Sequence, residues 1–173
     1  MDREGLLVSE RIDEVTMMCP REHPIYEQVS SFGIALYVLG FFKAADVMSF
    51  DDVDSTEAAN ILKEHFIPIK EGDLPSKYQI TESKEKYLLV IGDPLFPIHF
   101  AVLAGANSER SFFSKLRYFG SGFDSLEELM SDFLGEEGVS YKDIHFYKMN
   151  TPGLKSTSSQ PKIYIFKNDG SVV

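Results

Sequence analysis

A chain of 173 residues usually forms one domain, and with 43% hydrophobic and 13% aromatic residues it has enough apolar surface for a sizeable core. Its 27 acidic residues outnumber the 17 basic ones, so the formal net charge is −10. Binding to duplex DNA needs a basic face, and the charge therefore argues against a duplex nucleic acid partner.

The single cysteine, Cys19, excludes an internal disulfide and a paired-cysteine site. The N-terminus is charged from Asp2 onward and lacks the basic start and apolar stretch of a signal peptide. The longest apolar run, residues 29–42, is shorter than the roughly 20 residues of a membrane-spanning helix. We therefore expect a cytoplasmic protein with no membrane segment.

Residues 1–23 alternate only loosely, so we expect a peripheral N-terminal segment with a short strand at 15–18. Residues 25–48 then show a helical pattern, with apolar side chains at i, i+4 and i+7 and a second apolar face. A helix that is apolar nearly all round lies in the core. Glycines within this pattern indicate close packing, or a kink near Gly40.

A second helix is predicted at about 56–66, because Asp54 or Ser55 can cap it and Glu57 suits its first turn. The other aspartates of the loop 51–54 lack the pattern of a calcium loop, and a solvated face explains them. Residues 67–77 contain prolines and a glycine and are interpreted as a connector. Strands are predicted at 78–81, 87–91 and 98–103, whereas 108–123 follow no clear period.

The clearest local signal is the pair Ser125 and Glu128, which matches a capping box before an apolar helical pattern. It predicts a third helix at about 125–135. Later strands are predicted at 143–149 and 162–167, and the polar residues 150–160 between them read as a linker.

The predicted order is helix, helix, several strands, helix, strand, strand. Strict alternation of strands and helices is missing, which favours an α+β fold over a doubly wound one. We expect residues 1–173 to form a single domain, with a mostly antiparallel sheet covered by the long helix.

None of the four histidines has a partner at a metal-ligand spacing, so no metal or cofactor is predicted. His99 lies on a predicted strand a few residues after Asp93, and the two could form a catalytic dyad with an unidentified nucleophile. The simpler interpretation is a half-buried strand histidine with one hydrogen bond.

Residues 111–123 combine several phenylalanines with basic residues, and aromatics with arginine are enriched at binding hot spots. The alternative is that these phenylalanines enter the core from an irregular loop. The acids of the third helix should face water, because its apolar residues must turn inward. The predicted partner-binding surface therefore comprises Arg117, Tyr118, Phe119, Glu127, Glu128 and Asp132.

Two functions are favoured over a small-ligand-binding or structural role. The first is an acidic, non-enzymatic binding protein, such as an inhibitor or immunity-type protein that covers a basic surface of a protein partner. The alternative is a small hydrolase-like enzyme that uses His99 and Asp93. An enzyme should gather these residues and a nucleophile in one concave pocket, whereas a binding module should expose aromatics rimmed by acids.

Overall fold

The computed structural model describes residues 3–18, 30–41, 53–106, 109–116, 120–137 and 141–150. These residues contain four α-helices and six β-strands. In chain order they are α1 (Arg3–Met18), α2 (Ser31–Val38), α3 (Ser55–His65), β1 (Phe66–Ile69), β2 (Tyr87–Asp93), β3 (Phe96–Leu103), β4 (Phe112–Lys115), β5 (Ser121–Asp124), α4 (Leu126–Glu137) and β6 (Ile144–Met149).

The six strands form one antiparallel sheet in the order β1-β6-β2-β3-β4-β5. The predicted α+β class with a mostly antiparallel sheet is therefore confirmed. The centre of the sheet is β2, which pairs with β3 on one side and with β6 on the other.

Helices cover both faces of the sheet. His99 and Phe100 are neighbours on β3, so their side chains point to opposite faces. The ring of Phe100 meets Phe32 of α2, with centroids 4.9 Å apart, and the ring of His99 meets Phe133 of α4 at the same distance. Because both faces are buried, β2 and most of β3 are apolar without alternation.

The central helix is shorter than the predicted 25–48. Its N-cap is Ser30, whose Oγ accepts a 2.9 Å hydrogen bond from the Gly33 N–H. It ends in a Schellman motif, in which Gly40 has a φ of +102° and the Phe41 N–H donates to the Leu36 carbonyl. The other part of the prediction, 25–29 and 42–48, lies outside the described residues.

The segment 3–18 is a helix, so the short strand predicted at 15–18 is wrong. It also contributes to the core, since Val8, Ile12 and Val15 are buried along one face. The helical spacing i, i+4, i+7 of these three residues was a signal that the sequence analysis missed. On the same helix, Glu14 accepts a hydrogen bond from the Tyr37 hydroxyl. Burial, and then this bond, raises the pKa of Tyr37 to about 12.

The second and third predicted helices are present with small shifts in their bounds. Asp54 caps α3, accepting a 2.9 Å bond from the Glu57 N–H. The predicted connector contains β1, and the predicted strand 78–81 is wrong. In its place, Gln79 makes an isolated bridge with Gly105, followed by a 3₁₀ turn at Ile80–Glu82.

Strands β4 and β5, which pair with each other, lie in or at the end of the segment 108–123 for which no element was predicted. The strand predicted at 143–149 is confirmed as β6. The linker after Asn150 and the strand predicted at 162–167 lie outside the described residues.

Strand β1 forms one edge of the sheet. The Asn150 N–H donates to the His65 carbonyl. The backbone N–H and C=O groups of the odd-numbered residues of β1 therefore point toward β6, and those of the even-numbered residues point away from the sheet edge. Of the outward positions, the Phe66 N–H donates to the Leu62 carbonyl, Pro68 has no N–H, and the Lys70 N–H donates to the Asp73 carboxylate. The outward edge of β1 therefore presents no free N–H group.

Candidate interaction surface

The histidine singled out from the sequence forms a buried pair with a serine. His99 Nε2 lies 2.9 Å from Ser114 Oγ, across neighbouring strands β3 and β4. Only 2% of His99 and none of Ser114 is exposed. A histidine and a serine within hydrogen-bond distance are the parts of a nucleophilic site, but a substrate has no access to atoms sealed between the sheet and α4.

Asp93 lies at the exposed end of β2, away from this pair. Its Oδ1 accepts a 2.9 Å hydrogen bond from the Leu95 N–H within the β2–β3 turn. In the pairing of the two strands His99 faces Ile91, whereas Asp93 faces Phe96. The described contacts thus give Asp93 a role in the turn and His99 a role in the core.

The start of α4 carries the predicted capping box. The Glu128 N–H donates to Ser125 Oγ at 3.0 Å, and the Ser125 N–H donates back to Glu128 Oε1 at 2.9 Å. The same carboxylate receives a bidentate pair of hydrogen bonds from Arg110, the shorter at 2.8 Å. Chiefly the Arg110 bond, followed by the Ser125 backbone bond, lowers the pKa of Glu128 to about 2. The Glu128 carboxylate therefore makes these hydrogen bonds within the molecule.

The other residues of the predicted partner-binding surface lie in different places. Glu127 is exposed in the first turn of α4. Asp132 lies within α4, but its side chain is outside the described part of the structure, as are the whole residues Arg117, Tyr118 and Phe119. The residues that flank 117–119 lie at one end of β5 and the first turn of α4 lies at the other, roughly 10 Å apart along the strand. The described residues do not bring the two halves together.

The β2–β3 turn has a defined conformation. Asp93 pairs with Phe96, so Pro94 and Leu95 form a two-residue connection. Pro94 fixes its own φ, and the Asp93 carboxylate holds the Leu95 N–H. A bulge precedes the turn at Gly92, where φ is +103° and a Cβ atom would come within 2.6 Å of Ile98 Cγ1.

This turn exposes two large apolar residues that are consecutive in the chain. Leu95 is 67% exposed and Phe96 is 68% exposed. We call Asp93, Pro94, Leu95 and Phe96 the turn surface, and the end of the sheet at which it lies the turn end. Exposed apolar patches are a feature of interaction sites, which makes the turn surface the candidate for one.

Other carboxylates lie at the turn end, on the side of β6 and β1. Asp93 belongs to the turn surface itself, and the 3₁₀ turn with Asp143 leads into β6 at the same end, because Ile144 pairs with Ile91. Strand β1 also runs toward this end, and Glu71 and Asp73 follow it. The described residues of the turn end thus include four acids and two lysines, Lys70 and Lys142.

Gly92, Asp93 and Pro94 indicate only a break between strands, so this surface was not predicted from the sequence. A stronger signal was present. Leu95 and Phe96 stand between two prolines, and prolines are concentrated at turns and strand ends, so the two residues were candidates for an exposed turn.

A cleft of about 240 Å³ lies at the opposite end of the sheet, between one face of α1, the end of α2 and the last residue of β6. Arg11 lines it and donates to the Val38 carbonyl at 3.3 Å, one of the carbonyls left over at the end of α2. Lys86 also lines the cleft, and its ammonium group donates to the carbonyls of Ser83 and Lys84. Both cations therefore bind backbone carbonyls around the cleft.

Within the described ranges, no cluster of three or more histidine, cysteine or acidic side chains could hold a metal ion. None of the described helices is long and apolar enough to cross a membrane. Comparison of the chain with models of protein families, with curated proteins and with solved structures finds no match.

Proposed function

We propose that this protein is an acidic, non-enzymatic binding module that docks on a protein partner with a basic surface. The observation that carries the proposal is the turn surface, where Leu95 and Phe96 are two-thirds exposed on an ordered turn, with further carboxylates at the same end of the sheet. Exposed apolar side chains near acids are what a binding module of this charge needs.

The net charge of −10 supports a basic partner. Opposite charges steer two proteins together and raise their association rate, most strongly at low ionic strength. An inhibitor or immunity-type role is one concrete form of this function. The enzyme alternative receives less support, because the histidine it requires is buried against Ser114 and is not beside Asp93.

The test is a comparison of three immobilised baits in an extract of the source cells. The baits are the unchanged protein, the double variant Leu95→Ser with Phe96→Ser, and the control Ile67→Ser. Ile67 is matched because it is also a large exposed apolar residue, 47% accessible on β1.

We expect the unchanged protein and the control to retain the same protein at low salt, and the double variant to lose it. Retention should weaken at high salt, because screening removes the charge attraction. If all three baits retain the same set of proteins, the turn surface plays no part in binding and the proposal loses its support.

A further inference from the structure

The shape of the turn surface determines what kind of partner can use it. The two apolar residues lie at the two-residue turn of the β2–β3 hairpin, so the apolar surface is narrow. Their combined exposed area is on the order of 300 Å², given that one aromatic side chain buries about 150–250 Å². A stable interface needs about 800 Å² from each partner.

This area argues against a second copy of the same chain. Two turn surfaces placed against each other would bury only their own apolar area, well below the size of a stable dimer. Two copies would also bring the acids of their turn ends together, and like charges across an interface disfavour association. The missing area must come from a partner that surrounds the turn.

We propose that the turn surface is a plug that inserts Leu95 and Phe96 into a concave apolar pocket of a basic protein, with the acids of the turn end contacting basic residues at the mouth of the pocket. This inference rests on the proposed function and adds the docking element, the shape of the partner site and the chemistry of its rim.

The conformation of the turn supports insertion. Pro94, the Asp93–Leu95 hydrogen bond and the bulge at Gly92 fix the backbone before binding. A preorganised loop loses less conformational entropy on binding than a flexible one, so more of the contact energy appears as affinity. The four carboxylates of the turn end outnumber its two described lysines and complement a basic rim.

The test begins with photo-crosslinking in the source cells. The photoreactive residue p-benzoylphenylalanine is placed at position 96 in one version of the full chain and at position 67 in a second, which serves as the control. We expect one predominant crosslinked protein from position 96 and none from position 67. Mass spectrometry then identifies that protein, and its purified form is used for kinetics.

Two single variants separate the plug from its rim. Phe96→Ala should speed dissociation of the purified partner at least tenfold, because it removes a buried anchor. Asp93→Asn keeps the side-chain oxygen that binds the Leu95 N–H but removes the charge, so it should mainly slow association and flatten its dependence on salt. Association of the unchanged protein should slow at least tenfold between low and high salt.

The outcomes separate the inference from the proposed function. A partner that binds the unchanged protein but does not crosslink at position 96 overturns the plug and leaves the binding function standing. A partner that crosslinks at position 96 but associates equally fast at both salt concentrations overturns the basic rim. If neither crosslinking nor capture yields any protein, the proposed function fails together with the inference.

Discussion

At the scale of single residues, the buried pair of His99 and Ser114 is a structural element of the core. Hydrogen-bonded polar groups are common in cores, because burying such a group without a partner costs free energy. The bond connects β3 to β4 on the face covered by α4, where the imidazole also contacts Phe133. The sequence predicts a half-buried strand histidine with one hydrogen bond, and the burial of His99 in the structure is more complete.

A double-mutant cycle tests this role. His99→Phe and Ser114→Ala should each lower the free energy of unfolding by about 1–3 kcal/mol, because each removes one partner of a buried hydrogen bond. The double variant should lose less than the sum of the two, by at least about 0.5 kcal/mol, since the second change no longer breaks a bond. Urea denaturation of the four proteins measures these values. Strict additivity would show that the bond contributes nothing to stability.

Three glycines provide a graded test of backbone conformation. Gly92→Ala should be the most destabilising, because φ is +103° and the new Cβ meets Ile98 at 2.6 Å. Gly40→Ala should cost about 1–2 kcal/mol, as its φ is +102° but its nearest neighbour, Arg11 Nη1, is 3.4 Å away. Gly72→Ala is the control, since no atom lies within 4 Å and alanine there should be neutral or slightly stabilising. Thermal and urea unfolding give the order, and a different order would contradict the described backbone.

At the scale of elements, local signals in the sequence predicted helix starts better than helix lengths. The capping box of Ser125 and Glu128 and the Asp54 cap are side-chain interactions within four residues, so the sequence determines them locally. The length of α2 instead depends on where Gly40 adopts a positive φ, and the apolar pattern continues past that point. Periodicity alone could not place the end of this helix.

The cap of α4 has a pH dependence that follows from its charge. The pKa of Glu128 lies at about 2 in the folded protein, below its ordinary value of 4.5. A carboxyl with a lowered folded pKa stabilises the fold above the unfolded pKa, and this contribution is lost as the pH falls from 4.5 toward 2. The urea midpoint of the unchanged protein should therefore fall more between pH 6 and pH 3 than that of Glu128→Gln.

Glu127→Gln is the matched control, because it removes the neighbouring carboxylate from the same turn without touching the capping box or Arg110. It should lose as much stability on acidification as the unchanged protein. An equal acid response in all three proteins would mean that the Arg110–Glu128 contact is not formed in solution.

At the scale of the whole molecule, the sequence predicted the class of the fold and the existence of a central helix, but not the arrangement of the site. Apolar periodicity reports which residues are buried, and the burial of Leu36 follows from the predicted core helix in this way. Strands β4 and β5 were missed because Ser114 and Lys115 are polar yet buried, which breaks the alternation of a half-buried strand. The exposure of Leu95 depends on which strands pair, and periodicity carries no such information.

The core should respond to disruption as one unit. Leu36 is fully buried in the middle of α2, the helix that packs on β3 and β4. Leu36→Asp places an unpaired charge there and should cost several kcal/mol, enough to unfold a domain of marginal stability. The circular dichroism spectra in the far and near ultraviolet should both lose the signal of the folded protein.

Leu6→Asp is the control for this substitution, since Leu6 is 36% exposed on α1 and its variant should keep both signals. A Leu36→Asp protein that melts at an unchanged temperature would contradict the central position of α2.

The outer edge of β1 has a consequence for the protein at high concentration. Open sheet edges are templates on which further chains can add, and repeated addition produces cross-β fibres. On this edge the first outward N–H is taken by a helix carbonyl, the second is missing because Pro68 occupies the position, and the third is taken by a carboxylate. In the middle of this edge the block to an added strand is the covalent structure of a single ring, and that part of the protection survives any change of salt or pH.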